Sequence, residues 1–203
     1  MDLNWTQMIL SLICAYGIGS IPFGVFASKV CKTQDPRTTG SGNIGFTNVL
    51  RVSGKKAGLI TLIGDAGKGF LVAWLAQRYI HEELAVLLIA AAVIAGHIFS
   101  VFLKFHGGKG VATALAAVGG LHLGLGLSVT AVWLFAVWGF GYSSGGAIAA
   151  FLMLPIFAYA VFSQSLAFVF FTIGVSALVL FRHKDNISRL LAGTEGKLGM
   201  HSS

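Results

Sequence analysis

The stretch Lys104–Thr113, KFHGGKGVAT, separates two long apolar runs and carries three glycines and two lysines. Its reading decides the fold, because the segment behind it, VATALAAVGGL (111–121), either counts as a short crossing of a membrane or does not count at all. A helix rises 1.5 Å per residue and needs about 20 residues to cross roughly 30 Å of hydrocarbon. Working outward, apolar runs of that kind occur at about 5–28, 57–79, 84–103, 110–122, 124–142, 145–162 and 165–181, of which 110–122 is the short one. Charge chooses between seven spans and six. With seven, loop 29–56, turn 104–109, junction 143–144 and tail 182–203 share one side, and that side holds 12 of the 14 Lys and Arg residues, all but Lys68 and Arg78. Six spans would put the tail opposite the turn and split this charge. Positive loops stay in the cytoplasm, so the expectation is seven spans with the N-terminus outside and the C-terminus cytoplasmic.

The rest of the composition agrees. The 203 residues are 56% hydrophobic and only 10% charged, with a mean hydropathy of +0.82, whereas a soluble domain carries about 25% charged residues. An all-α polytopic membrane protein is expected, as one domain over 1–203, since no repeat and no proline-rich linker divides the chain. The opening MDLNWTQMILSLICAYG has neither a basic leader nor a small-residue cleavage site, and reads as a retained first span. The net charge of +7 is read as topology, with no nucleic-acid partner. Cys14 and Cys31 are too few for a disulfide framework. Seven acidic residues, no H-E-x-x-H string and no Cys–His cluster leave no metal or cofactor to expect.

The polar residues concentrate on the charged side. Loop Asp35–Gly58, DPRTTGSGNIGFTNVLRVSGKKAG, offers Gly40, Ser41, Gly42, Asn43, Gly45, Thr47 and Asn48, whose backbone N–H groups suit an anion-binding nest, followed by Arg51. HGGKG lies on the same side, with the N–H groups of a helix start behind it, but it lacks the P-loop spacing. Both stretches also admit a plainer reading, as turns with interfacial lysine anchors. Lys68, in GDAGKGF, falls inside a span, where a lysine costs about 2.5–3.5 kcal/mol; Asp65 three residues earlier would pair with it. His97 reads as a helix-packing histidine. In GYSSGGAIA, Ser143 and Ser144 are capping or ligand-reaching candidates. In RHKDNISRLLAGTEGKLG, His183 and Asn186 are neighbours if helical, and Arg182, Lys184 and Arg189 suit anionic lipid heads.

Taken together, GSIPFG, GSGNIGFTNVLR, GDAGKG, GHIFSVFLKFHGGKGVATALA and RHKDNISRLLAGTE resemble the bacterial acyl-phosphate:glycerol-3-phosphate acyltransferase family, over about residues 15–196. The resemblance implies a seven-span enzyme of the bacterial inner membrane whose active site faces the cytoplasm. It implies transfer of a fatty acyl chain from acyl phosphate to the 1-hydroxyl of glycerol 3-phosphate, giving lysophosphatidic acid and phosphate, the first acylation of phospholipid synthesis. The implied partners are these two substrates, membrane lipids and a functional link to the enzyme that makes acyl phosphate; no cofactor is implied. Ser41 and Arg51 match an essential serine and arginine, and His183, Asn186 and Glu195 match a third motif. The implied catalytic set is Ser41, Arg51, His183 and Asn186. Substrate binding falls to Asn43, Asn48, Lys104, Gly107, Gly108, Lys109, Gly110 and Ser144, with Asp65, Lys68 and Glu195 as structural groups near the site. Three positions depart from the usual pattern: Phe46 for alanine, Pro36 for an aliphatic residue, and Ala147 for a second serine after Ser144.

The expected site holds two phosphates and one acyl chain, and its chemistry needs positioning and charge stabilisation more than a strong nucleophile. The hydroxyl proton goes either to His183, with an ordinary pKa of about 6.5, or to a substrate phosphate with a second pKa of about 6. Substrate assistance is the favoured reading, and Ser41 as a covalent carrier is the least needed. A small-anion transporter is the rival from another class; broken spans and a buried lysine suit it, but the motifs lie on one side only.

Overall fold

The computed structural model describes residues 3–198; positions 199–203 of the expected tail lie outside the described residues. All regular structure described is helical, as hydrocarbon demands of a chain that must satisfy its own backbone. The α-helices are α1 Trp5–Ser20, α2 Phe23–Val30, α3 Phe46–Tyr79, α4 Glu83–Ile98, α5 Val111–Leu121, α6 Leu123–Phe140, α7 Ser143–Phe162, α8 Leu166–Arg182 and α9 Lys184–Leu191, with a 3-10 turn at Val101–Leu103. Four segments are long and apolar enough to cross a membrane: α3, Glu83–Leu103, α6 and α7. Two bent pairs, α1 with α2 at 42° and α8 with α9 at 61°, raise this to six if each counts as one span. At 11 residues, α5 is only about 16 Å long.

The helices depart from the expected runs at three places, each with a local cause. Run 5–28 breaks at Ile21–Pro22, because proline brings no N–H and disfavours helix in the residue before it. Helix α3 begins within the expected loop, where the Asn43 side chain accepts from the Gly45 N–H at 3.1 Å and turns the chain into its first turn. It then breaks at Gly54, whose φ of +82° suits only glycine. The remaining stretch, 55–79, is about 38 Å long, enough to cross a bilayer. The tail folds as α9, directly behind α8.

The chain forms two compact units, 1–121 and 122–203. In the first, α1 packs on α4, α5 on α3, and α2 on the start of α3. These contacts are backbone-close. A Cβ on Gly19 would lie 2.2 Å from the Val93 carbonyl oxygen, one on Gly96 2.2 Å from that of Tyr16, and one on Gly69 2.2 Å from that of Thr113. Small residues let membrane helices approach this way. In the second unit α7 packs between α6 and α8 around the fully buried Phe151, Leu154, Val129 and Val179.

Gly67 and Gly69 test this packing side by side. A Cβ at Gly67 meets nothing within 4 Å, whereas at Gly69 it meets backbone. Gly69→Ala is expected to lose about 1–3 kcal/mol of stability, and Gly67→Ala to be neutral or stabilising. Thermal unfolding in detergent measures both; equal melting temperatures would show that the α3–α5 contact is not tight.

Candidate active site

Loop 33–45 is held open by one buried side chain. Asn48, on the first turn of α3 and 3% exposed, accepts from the Ser41 N–H at 2.9 Å with its Oδ1. Its Nδ2 faces the carbonyls of Asn43 at 2.8 Å, Pro36 at 2.9 Å and Thr39 at 3.2 Å. Two N–H bonds serve these three acceptors, and the amide is occupied by its own loop. Gly40 and Gly42 have φ of +68° and +71°, and a Cβ on Gly40 would lie 2.3 Å from Asn48 Oδ1. Ser41 is therefore presented on an exposed turn between two glycines that no other residue replaces without strain. Ser53 Oγ donates to the Gln34 carbonyl at 2.9 Å and lies 3.1 Å from Ser28 Oγ, which fixes the other end of the loop. Asp35 and Arg37 close on each other, with Nη2 to Oδ2 at 2.5 Å. That hydrogen bond holds the Asp35 carboxyl below its ordinary range and the Arg37 guanidinium above its own. Arg51, one turn beyond Asn48 and half-buried, has no hydrogen bond or ion pair among the described residues.

The glycine turn is clamped at both ends. The Gly107 N–H donates to the Ile98 carbonyl at 3.0 Å and the Gly108 N–H to that of His97 at 3.1 Å. Beyond Lys109, Thr113 Oγ1 donates to the Asp65 carbonyl at 2.9 Å. Gly110 has φ of +89°, and Lys104 and Phe105 are both left-handed without being glycine. Lys104 is exposed at the tip of this turn, while Gly108 and Gly110 are buried. Beneath it, Asp65 Oδ1 lies 2.9 Å from Lys68 Nζ and 3.3 Å from His97 Nδ1. Lys68 Nζ also donates to the Ile21 carbonyl at 2.8 Å, at the α1–α2 break.

In the second unit the polar groups converge on Glu195. Ser144 Oγ and Asn186 Nδ2 each donate to its Oε1 at 2.6 Å, and Arg189 Nε donates to Oε2 at 2.7 Å. Burial pushes the Glu195 carboxyl up, but these three hydrogen bonds outweigh it, and the carboxyl stays below its ordinary range. His183 and Asn186 sit one turn apart at the start of α9, both buried. His183 Nδ1 lies 2.8 Å from the Val179 carbonyl; a carbonyl only accepts, so in the neutral ring the proton is on Nδ1 and the lone pair on Nε2.

A family model described as glycerol-3-phosphate acyltransferase matches residues 9–193. The chain belongs to that family. It is 44% identical over 195 residues to the glycerol-3-phosphate acyltransferase of Burkholderia thailandensis, covering 95% of this chain and 96% of that one. It is likewise 44% identical over 194 residues to the one of Dechloromonas aromatica, at 95% and 97% coverage. The crystal structure of PlsY (YgiH), an integral membrane glycerol 3-phosphate acyltransferase, in its glycerol 3-phosphate form, superposes with a TM-score of 0.89 at 36% identity, over 95% of this chain and 96% of that chain. Its lysophosphatidic acid form gives 0.87 at the same identity.

For this acyltransferase, the structure groups Ser41, Asn43, Asn48 and Arg51 on one loop and helix start, and Gly107–Gly110 on the turn above Asp65 and Lys68. It groups Ser144, Asn186 and Glu195 in the second unit. His97 and Arg189 carry more than their sequence readings assigned: His97 touches Asp65 as well as packing, and Arg189 bonds Glu195. The only signal for Arg189 was a carboxylate six residues on, past Gly193, whose φ of +69° folds the chain back. Gly141–Gly145, GYSSG, has the letters of a hydrolase nucleophile elbow, but it joins two helices where that elbow needs a strand.

Glu195 makes stability pH-dependent with a definite sign. Its folded pKa lies below the unfolded value, so the contribution is complete above about pH 4.3 and is lost as pH falls through the lower folded value. Glu195→Gln is expected to melt lower than wild type at pH 7 and to lose less stability on acidification. Parallel melting curves of the two proteins from pH 7 to pH 3 would show instead that the carboxylate is not anchored this way.

Proposed function

We propose that this chain transfers a fatty acyl group from acyl phosphate to the 1-hydroxyl of glycerol 3-phosphate. The new ester bond forms between that hydroxyl oxygen and the acyl carbonyl carbon. The bond from this carbon to the phosphate oxygen breaks, and the hydroxyl proton passes to a phosphate oxygen. Lysophosphatidic acid and inorganic phosphate result. The observation that carries the reading is the match, over 95% of the chain, to a solved enzyme whose two forms are named for glycerol 3-phosphate and lysophosphatidic acid. The donor rests on the motif resemblance.

Arg51 and the Gly107–Gly110 turn with Lys109 hold the phosphate of glycerol 3-phosphate, with Lys104 as an outer cation. Arg51 suits this because, unlike Arg37 and Arg189, it is paired with no carboxylate among the described residues. Ser41 and Asn43, on the exposed turn, receive the acyl phosphate, while Asn48 keeps that turn in shape. In the second unit Ser144 and Asn186 are oriented by Glu195 and touch substrate through their remaining hydrogen-bonding positions. His183 orients the substrate by hydrogen bonding through Nε2, and the substrate phosphate takes the proton.

The chain acts as one domain of the bacterial inner membrane, its site open to the cytoplasm, where the acyl-phosphate-forming enzyme supplies the donor. Counting each bent pair once and α5 as a shortened crossing gives seven spans, N-terminus outside, which keeps the charged loops on one side.

Purified protein in detergent, given labelled glycerol 3-phosphate and either acyl phosphate or acyl-CoA, is expected to form labelled lysophosphatidic acid with acyl phosphate alone. Product from acyl-CoA would overturn the donor; no product with either would overturn the reaction. Arg51→Ala is expected to raise the KM for glycerol 3-phosphate. Under substrate assistance His183→Ala loses less than the roughly 100-fold that general bases supply at minimum. A larger loss in single-turnover kinetics would make His183 the base.

A further inference from the structure

We infer that Asp65, Lys68 and His97 form a positioning network that sets the affinity for glycerol 3-phosphate by fixing the Gly107–Gly110 turn, without touching substrate. This rests on the reading of that turn as part of the phosphate site.

All three side chains are almost fully buried, with exposures of 2%, 6% and 4%. Their contacts fan out to every element that borders the turn. Lys68 Nζ reaches Asp65 in its own helix and the Ile21 carbonyl at the α1–α2 break, which also accepts from the Phe23 N–H at 3.1 Å. His97 stands at the end of α4 with its ring between two neighbours. Nδ1 faces Asp65 Oδ1 at 3.3 Å, and the far edge lies against the turn, where a Cβ on Gly108 would come within 2.3 Å of Nε2. The His97 carbonyl meanwhile accepts from the Gly108 N–H, and the Asp65 carbonyl accepts from Thr113. Lys109 thus lies between two clamps whose acceptors are the main-chain carbonyls of His97 and Asp65, the two residues whose side chains face each other beneath the turn. This arrangement explains why glycine stands at 107 and 108: a Cβ on Gly107 would lie 2.0 Å from the His97 carbonyl oxygen.

A merely structural role would lower the yield of folded enzyme and leave the kinetics of the folded fraction alone. A positioning role changes them selectively, since removing an interaction that serves binding alone raises KM with kcat kept. Misplacing a binding group by about an ångström costs up to roughly 100-fold. His97→Ala is expected to raise the KM for glycerol 3-phosphate about tenfold, keep kcat within about threefold, and leave the KM for acyl phosphate within about twofold. His97→Asn, which restores an N–H at the Nδ1 position, is expected to recover part of the loss. The double variant Asp65→Asn with Lys68→Met removes the ion pair without burying a lone charge, and is expected to raise the same KM. All are compared as folded protein by size exclusion and melting temperature, with Lys109→Ala as reference. If Lys109→Ala raises this KM while the folded network variants do not, the positioning inference is wrong and the phosphate reading stands. If Lys109→Ala leaves it unchanged, the turn is not a phosphate site and the inference falls with it. Equal losses toward both substrates would also overturn it. Should His97→Ala not fold, the double variant and His97→Asn decide.

Discussion

Every interruption of a helix inside hydrocarbon leaves backbone carbonyls and N–H groups that lipid cannot satisfy, at several kcal/mol apiece. This chain interrupts its helices repeatedly, and the interruptions are where its polar side chains have gone. Lys68 answers the Ile21 carbonyl at the α1–α2 break. Ser100 Oγ donates to the Ser20 carbonyl, and the Tyr16 hydroxyl to that of Phe99 at the end of α4. The Gly107 and Gly108 N–H groups return to the last carbonyls of the same helix. In the second unit the Trp133 indole donates to the Ser143 carbonyl at the α6–α7 junction. A functional site built from such breaks inherits rigid neighbours, because each loop end is tied down before any ligand arrives.

The cations divide into those bonded to a carboxylate and those that are not. Arg37 and Arg189 are each bonded to a carboxylate of their own segment, and Lys68 to Asp65. Among the described residues, Arg51 and Lys104 have no such partner. Three of the seven acidic residues, Asp35, Asp65 and Glu195, bond cations of the chain, and against 14 basic residues an excess of positive charge remains. Glu195 organises a serine, an asparagine and an arginine within the second unit.

How much of this was legible from sequence depended on whether the cause was local. Apart from the start of α3 and the break at Pro22, apolar run length located the long helices within a few residues, since hydrocarbon thickness is an external ruler. The pairing of Asp65 with Lys68 followed from helical spacing, as did the neighbourhood of His183 and Asn186. The start of α3 at Phe46 did not follow, because glycines and small polar residues read as loop until the turn at Asn43 is seen. Asn48 illustrates the deeper limit. An amide that bonds a ligand and one that bonds its own loop look alike in sequence, and only the carbonyls of Pro36, Thr39 and Asn43 around it distinguish them. The contact of His97 with both Asp65 and Gly108 required three elements to be placed at once.

Burial of a charged pair in this setting calls for its own account. A lysine in the hydrocarbon costs about 2.5–3.5 kcal/mol on insertion scales, and a buried pair is often no more stabilising than apolar residues of the same size. Stability alone therefore does not explain Asp65 and Lys68; two leucines would pack α3 as well. What leucines would not supply is an ammonium for the Ile21 carbonyl and a carboxylate against His97. At the helix break the Ile21 carbonyl accepts from Lys68 as well as from the Phe23 N–H, and on the other side of the pair Asp65 faces His97, whose carbonyl holds the Gly108 N–H. The lysine and the carboxylate stand where α1, α3 and α4 meet non-helical backbone, and their polar contacts there are what an apolar pair would forgo.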